Sequence, residues 1–126
     1  MYEESLRISM IVRYPGEINP GNVNDDMILN VDVAPTILDY AGVAVPGSMQ
    51  GRSFRSNLLG KKPQNWCDGI YYHYWIDLGM GGPAHYGIRT DGYKLIFYYG
   101  LPLDFKGAAL EPAPPEWEFL ISRKIP

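Results

Sequence analysis

The sequence predicts an α+β fold in which a small antiparallel sheet lies beside one helix. Three observations lead to this prediction. An amphipathic segment with helix start and stop signals occupies about 32–41. Two aromatic segments flank Asp91-Gly92, a dipeptide typical of a tight hairpin turn. The 126 residues also include ten tyrosines, 11 prolines and 14 glycines, a composition typical of aromatic strands joined by many turns.

Composition and charge exclude several classes of protein. Hydrophobic residues make up 46% and charged residues 20%, close to globular averages, so the bulk of the chain is not disordered. The net charge of −3 argues against a binder driven by attraction to nucleic acid or anionic membranes. The sequence has no run of eighteen apolar residues, so it predicts no transmembrane helix. Residues 1–5 are acidic and predict no secretion signal, which leaves the localisation open.

The first apolar run, 7–14, predicts a buried strand that ends at the turn signal Pro15-Gly16. Residues 17–26 are polar and predict a surface loop. A strand that is apolar on both faces needs partners on both sides. The isolated chain is therefore expected to form a homo-oligomer through 7–14.

The helix predicted at 32–41 begins with Asp32 as N-cap and has Pro35 in its first turn. Gly42 supplies the left-handed stop. The apolar residues at helical spacing predict a core-facing stripe: Val33, Ile37, Leu38 and Ala41. Replacing Ile37 or Leu38 with Ala is accordingly expected to cost about 2–5 kcal/mol.

The predicted sheet contains strands at about 70–75, 85–90 and 93–99. Residues 78–83 are glycine-rich and predict a loop, and the chain after Gly100 is predicted to be irregular. In the first strand, alternation assigns side chains to two faces: Tyr72 and Tyr74 on one, and Tyr71, His73 and Trp75 on the other.

No motif of a self-sufficient enzyme is present, since the sequence has no nucleophile elbow, P-loop, zinc-protease motif or dinucleotide fingerprint. The pair Asp25-Asp26 lies in a loop and is either a hard-cation ligand or, as is more common, solvated. The single cysteine, Cys67, has no partner for a disulfide or a thiolate zinc site.

The histidines differ in their expected roles. His73 alternates within an aromatic strand, which predicts a half-buried, hydrogen-bonded side chain. His85 opens the hairpin directly after a glycine-rich loop, where a strand holds a side chain towards solvent or a cleft, so it is a candidate binding residue. Among the cations, Arg89 and Lys94 are predicted to be sheet-surface charges. Arg52 and Arg55 are predicted to pair with carboxylates or an anionic ligand.

Four segments together resemble the sulfatases. Tyr2-Glu3-Glu4-Ser5-Leu6-Arg7, followed by Ile11 to Gly16, resembles the stretch Y-E-E-S-x-R-x-P-x-I-x-x-P-G. Asn30 to Gly42 is similar to the D-x-x-P-T-x-L-x-x-x-G helix, and Met49 to Phe54 to the M-Q-G-R-S loop. His85 to Ile96 resembles the hairpin R-T-x-x-Y-K-L-I. The chain thus resembles the C-terminal portion of a formylglycine-dependent sulfatase of the glycosaminoglycan-acting type, in the alkaline-phosphatase-like superfamily.

This resemblance implies that 1–62 is the end of the large sulfatase domain, with its last strand and helix. It implies that 63–126 is the antiparallel C-terminal subdomain, truncated. Ser9 stands where the family has proline. Glu116-Trp117-Glu118 resembles the start of the family's final strand, but Phe119 to Pro126 do not continue it, so that strand and the following helix are expected to be missing or replaced.

The implied activity is sulfuric ester hydrolysis of sulfated saccharides, with His85 and Arg89 as substrate-binding residues. Calcium and formylglycine are the cofactors expected in the intact family, and none is expected in this chain because Cys67 lacks the C-x-P-S-R context. The fragment is therefore expected to be inactive alone. The alternative is a free-standing carbohydrate-binding or interaction module that stacks sugars on its aromatic sheet face, through Tyr71, Trp75 and Tyr98.

Overall fold

A computed structural model describes residues 3–75, 83–99 and 114–121 of the chain. In chain order the helices are α1 (Glu3–Leu6), α2 (Asn30–Tyr40) and α3 (Arg55–Leu58). The strands are β1 (Gly69–Tyr74), β2 (His85–Thr90), β3 (Tyr93–Tyr98) and β4 (Glu116–Ile121). None of the described helices combines the length and apolar character needed to span a bilayer. The small antiparallel sheet with helices is consistent with the predicted α+β class.

The chain divides into two compact units. One contains Met10–Cys67 with α2 and α3, and the other contains Met1–Ser9 together with Asp68–Pro126 and the sheet. The assignment of 1–62 and 63–126 to two parts of a larger sulfatase stays a prediction.

In the sheet unit, the four strands form an antiparallel meander in the order β1-β2-β3-β4. The three predicted strands are confirmed, and Asp91-Gly92 joins β2 to β3 as predicted. The expectation that the chain after Gly100 is irregular is wrong at β4, because Glu116–Ile121 pair along β3 with Tyr98 opposite Glu116, so a strand is not missing at this position. Phe119, Leu120 and Ile121 depart from the family's motif, but they are good strand formers and backbone pairing needs no more.

Residues 7–14 form no strand in the structure, contrary to the prediction. Its side chains are largely exposed, and that of Ile11 is 95% accessible. A strand is defined by hydrogen bonds to a neighbouring strand, and none of the described segments pairs with this one. Within the described part of the chain, this apolar segment therefore lies outside the sheet.

In the other unit, α2 begins two residues before the predicted start. Leu29 is the N-cap, and Asp32 lies in the first turn, where its Oδ2 accepts a hydrogen bond from the Leu29 N–H at 2.9 Å. Pro35 is thus inside the helix and cannot donate to the Val31 carbonyl. Gly51 packs against that carbonyl so closely that a β-carbon would collide with it.

The loop 51–54 is fixed to α2 by hydrogen bonds. The Arg52 N–H donates to Asp32 Oδ1 at 2.8 Å and the Phe54 N–H donates to Thr36 Oγ1 at 3.0 Å. Thr36 Oγ1 in turn donates to the Asp32 carbonyl at 2.8 Å. The face of α2 that is buried is therefore the polar one, with Asp32, Pro35 and Thr36. The predicted apolar stripe faces outwards, and Ile37 is 63% exposed.

Candidate functional site

The candidate site is centred on His85, the first residue of β2. His85 lies opposite Tyr74 of β1 and Tyr98 of β3, and directly opposite residues of an antiparallel sheet point to the same face. The imidazole stacks on Tyr74 with ring centroids 5.5 Å apart and meets Tyr98 at 5.2 Å. Tyr72 approaches with its ring at 78° to the imidazole, 6.0 Å away. Three tyrosines thus surround the histidine.

The protonation state of His85 follows from its contacts. Its Nδ1 lies 2.7 Å from the Pro83 carbonyl oxygen, which only accepts, so Nδ1 carries the proton and donates. Burial lowers the pKa of His85, and the hydrogen bond to Pro83 opposes this in part. The side chain is 3% exposed, so His85 does not face open solvent, and its role as a candidate binding residue stays a prediction. The neutral ring then presents Nε2 as an acceptor.

Gly87 is what allows Tyr72 to reach His85. It lies between Tyr72 of β1 and Ile96 of β3, and a β-carbon on it would come within 2.7 Å of Tyr72 Oη. From the sequence, Tyr98 is expected to stack on sugars in the alternative function, whereas Tyr72, Tyr74 and Gly87 are expected only to lie in strands. The packing of these residues around His85 depends on the register of three strands. The alternation of small and aromatic residues on one face is the sequence signal that could have indicated it.

Arg89 and Lys94 lie opposite each other on the same face as His85. Arg89 is half-buried, and its Nη1 donates to the Thr90 carbonyl at 3.3 Å. Four positions separate it from His85, about 13 Å at 3.3 Å per residue, so the two candidate residues share a face without touching. Lys94 is 4% exposed, and the prediction that it is a surface charge is wrong. Its position opposite Arg89 places it on the buried face of the sheet.

His73 lies on the opposite face of the sheet. Its ring stacks on Trp75 with centroids 3.6 Å apart and interplanar angle 22°, and its Nδ1 lies 3.1 Å from Tyr71 Oη. Burial lowers the pKa of His73. The prediction of a half-buried, hydrogen-bonded histidine is confirmed.

The aromatic residues proposed for stacking on sugars do not share one face. Tyr71 and Trp75 are exposed on the His73 face, whereas Tyr98 is on the His85 face and donates to Glu118 Oε2 at 2.8 Å. The alternative of a carbohydrate-binding module through these three residues is therefore wrong in its choice of surface.

In the other unit, the two arginines near the glycine loop behave differently. Arg55 pairs with both Glu17 oxygens at 2.6 and 2.7 Å and with Asp39 at 3.3 Å, as predicted. This pairing lowers the pKa of Glu17, and the Ser53 hydroxyl is the main cause of a lowered pKa at Asp39. Arg52 instead lies over the Trp66 ring at 4.8 Å, with Nη1 donating to a backbone carbonyl.

The acidic pair Asp25-Asp26 is not arranged as a metal site. Asp26 Oδ2 accepts from Asn24 and Asn57, and Oδ1 is 3.3 Å from Lys62 Nζ. Among the residues that the structure describes, no three His, Cys, Asp or Glu side chains are grouped to hold a metal ion. The described residues therefore offer no ligand set that fits the calcium ion expected in the intact family.

A cavity of about 340 Å³ lies between residues 19–22 and 58–60, with Glu17 at its wall. The Glu17 carboxylate is already bound by Arg55. The cavity holds none of the predicted site residues.

The comparisons with known proteins give the class of this protein, the C-terminal portion of a sulfatase. Residues 1–124 match the family described as "N-sulphoglucosamine sulphohydrolase, C-terminal", and the chain belongs to this family. The resemblance derived from the motifs is thereby confirmed.

Comparison with individual proteins agrees with this assignment. The chain is 45% identical over 102 residues to an N-acetylglucosamine-6-O-sulfatase of Bacteroides thetaiotaomicron, covering 79% of this chain and 18% of that protein. It is 33% identical over 75 residues to an N-acetylglucosamine-6-sulfatase of Bos taurus, covering 59% and 13%. The chain thus spans at most about a fifth of the length of these relatives.

Two solved structures are similar to the chain. One is a protein in complex with its substrate D-glucosamine-2-N,6-O-disulfate, with a TM-score of 0.70 and 38% identity over 88% of this chain and 21% of that one. The other is a phosphonate monoester hydrolase from Silicibacter pomeroyi, with a TM-score of 0.58 and 27% identity over 83% and 21%.

Proposed function

We propose that this chain is the C-terminal portion of a sulfuric ester hydrolase that acts on sulfated saccharides, and that His85 and Arg89 contact the saccharide. The observation that carries the proposal is the similarity, over 88% of the chain, to a protein solved with a sulfated glucosamine substrate. The sulfatase relatives named for N-acetylglucosamine sulfates support the same class of substrate.

The chemistry of His85 suits a sugar hydroxyl. Because Nδ1–H is held by the Pro83 carbonyl and burial favours the neutral ring, Nε2 acts as a hydrogen-bond acceptor. A neutral acceptor recognises a hydroxyl or N–H donor and gives no attraction to a sulfate. The guanidinium of Arg89, on the same face and less buried than Lys94, suits an anionic sulfate.

The chain is proposed to have no catalytic activity alone. Sulfate ester cleavage in the family requires an aldehyde nucleophile made from a modified cysteine, and a divalent cation that lowers the pKa of the nucleophile. Cys67 stands in the context Trp-Cys-Asp-Gly, which differs from the modification motif. This chain matches only about a fifth of the length of the relatives, and we place the nucleophile and the cation in the part of them that it does not match.

The test is binding and turnover by the purified 126-residue chain. Glucosamine 6-sulfate is titrated into ¹⁵N-labelled protein, and sulfate release is measured with and without calcium. We expect weak binding, no release, and loss of the chemical-shift changes in His85→Ala. His73→Ala is the matched control, a histidine on the opposite face, and circular dichroism checks that both variants are folded.

Three outcomes contradict the proposal. Binding that survives in folded His85→Ala removes His85 from the site. Calcium-dependent release that survives Cys67→Ala shows an active site within this chain. Release that disappears with Cys67→Ala makes Cys67 a nucleophile and contradicts the assignment to the C-terminal portion.

A further inference from the structure

The strand β4 lies at one edge of the sheet, and among the described strands only β3 pairs with it. This pairing runs in continuous register along all six residues of β4, without a bulge. Backbone N–H and C=O groups on the outer side of an edge strand point away from the sheet, and another strand is their natural partner. The edge of β4 is therefore a template for strand pairing.

The side chains of β4 do not oppose such pairing. Proteins commonly protect an edge strand with lysine, proline or a bulge, and β4 contains none of these. The strand has four large apolar side chains that are exposed: Trp117, Phe119, Leu120 and Ile121. The strand at the other edge, β1, exposes only Tyr71 among its large apolar side chains. Of the two edges of the sheet, β4 is thus the one suited to association.

Symmetry and charge limit how a second copy can add to this edge. In a two-fold dimer that extends the sheet, the axis is perpendicular to the sheet, so each face stays on its own side. Directly opposite side chains point to the same side, so an odd-numbered residue meets an odd-numbered one. The two registers that pair most of β4 place either Glu118 or Phe119 opposite its own copy. The first brings like charges together, which is unfavourable.

The second register matches apolar side chains across the contact. It places Phe119 opposite Phe119 of the copy, and Trp117 opposite Ile121 on the same face. Tyr93 of β3 already stacks on Phe119, with ring centroids 5.7 Å apart and an interplanar angle of 18°, which holds the phenyl ring on that face. Two copies thus present complementary surfaces, both in backbone groups and in side chains.

We propose that two copies of this chain associate edge to edge through β4, in antiparallel orientation, with Phe119 at the two-fold axis. The paired segment, 117–121, is about 17 Å long at 3.4 Å per residue. A single strand edge covers less than the ~800 Å² that each partner buries in a stable complex. The dimer is therefore weak and depends on protein concentration.

Disulfide trapping tests the register. The background carries Cys67→Ser, which removes the only cysteine, and Ile11→Asp, which weakens the association expected through 7–14. Opposite residues of an antiparallel pair have Cα atoms about 4.5–5.5 Å apart, within the range of a disulfide. Phe119→Cys should therefore link two copies under mild oxidation. Leu120→Cys is the matched control, because it is exposed on the same strand but lies opposite Glu118 of the copy.

We expect the Phe119→Cys dimer to form about tenfold faster than the Leu120→Cys dimer. Ile88→Cys is a second control, because Ile88 is exposed on the same face in an inner strand, and it should link no faster than Leu120→Cys. Equal rates at 119 and 120, or no linkage at any position, overturn the proposal. Fastest linkage at Ile88 shows packing between sheet faces and also overturns it. Circular dichroism checks that each variant is folded.

Sedimentation gives a second test that keeps Phe119 in place. In the same background, Ile121→Lys should raise the dissociation constant of the dimer about tenfold, because a lysine on an edge strand opposes pairing. Ile88→Lys is the control and should leave the constant unchanged. A background chain that stays monomeric at high concentration overturns the proposal. A dimer that Ile121→Lys does not weaken, or that both variants weaken equally, overturns it as well.

Discussion

Gly87 fixes the packing of the sheet face that carries His85. A β-carbon at this position would lie 2.5 Å from the Leu95 carbonyl oxygen and 2.7 Å from Tyr72 Oη, so a strand or a ring would have to move. We expect Gly87→Ala to lower the free energy of unfolding by about 1–3 kcal/mol, measured by urea denaturation. Gly92→Ala is the control, because nothing lies within 4 Å of a β-carbon there. Equal losses for both variants would contradict this account of the packing.

The two histidines make stability depend on pH. Burial lowers the pKa of both His73 and His85 below the ordinary value of 6.5. The unfolded chain therefore binds more protons than the folded chain between the folded-state pKa values and 6.5. The free energy of unfolding should be highest above pH 6.5, fall as the pH drops below it, and level off below the folded-state pKa values.

Urea denaturation at a series of pH values between 7.5 and 5 checks this expectation. Replacing His73 with Gln should make the fall in stability shallower, because the glutamine does not titrate. A stability that rises towards pH 5 would contradict the lowered pKa values.

At the scale of the element, α2 depends on one carboxylate. Asp32 accepts from the backbone N–H of Leu29 and of Arg52, so it both starts the helix and holds the loop 51–54. We expect Asp32→Ala to cost about 2–4 kcal/mol in urea denaturation, because two partly buried donors lose their acceptor. Asp68→Ala, at an exposed aspartate, should cost less than about 0.5 kcal/mol.

The orientation of α2 gives a second expectation. Ile37 is exposed, so Ile37→Ala should change the free energy of unfolding of the isolated chain by less than about 0.5 kcal/mol. Ile96→Ala should cost about 2–5 kcal/mol, because Ile96 is 1% exposed in the sheet. This replaces the sequence-based expectation for Ile37. A cost above about 2 kcal/mol at Ile37 would mean that the stripe is buried within this chain.

The strands could be predicted from the sequence, whereas the buried face of α2 could not. Alternation and the Asp91-Gly92 turn predicted three strands, because both are local properties of the chain. Periodicity likewise found the apolar stripe of α2, but it cannot tell which neighbour covers a face. The neighbour is the loop 51–54, and it binds through backbone N–H groups that leave no side-chain pattern.

The candidate site follows the same rule. His85 was found from its position at the start of a strand, which is a local signal. The burial of His85 could not be predicted from local sequence, because the tyrosines around it come from β1 and β3 and their positions depend on the register of three strands.

At the scale of the whole molecule, many large apolar side chains of the described residues are exposed. They include the segment 7–14, in which Ile8 and Ile11 are both largely exposed. Self-association through this segment remains a prediction, and we expect it to grow with concentration. Ile11→Asp should shift the sedimentation distribution towards monomer without changing the circular dichroism spectrum. A wild-type chain that is monomeric at high concentration would contradict it.

The meander order of the sheet also bears on how the chain acquires its structure. Each strand pairs with the next one along the chain, so β2 and β3 close across a turn of two residues, and β1 and β4 add to that hairpin from either side. Pairing between neighbours in sequence keeps the contact order low, and hairpins of this kind form in about 1–10 μs. The residues paired between β2 and β3 are at most 13 positions apart, whereas the contacts of α2 with the loop 51–54 join residues 18 and 20 positions apart and the pairs of β3 with β4 reach 28. We therefore expect β2 and β3 to be the first elements protected from hydrogen exchange during refolding.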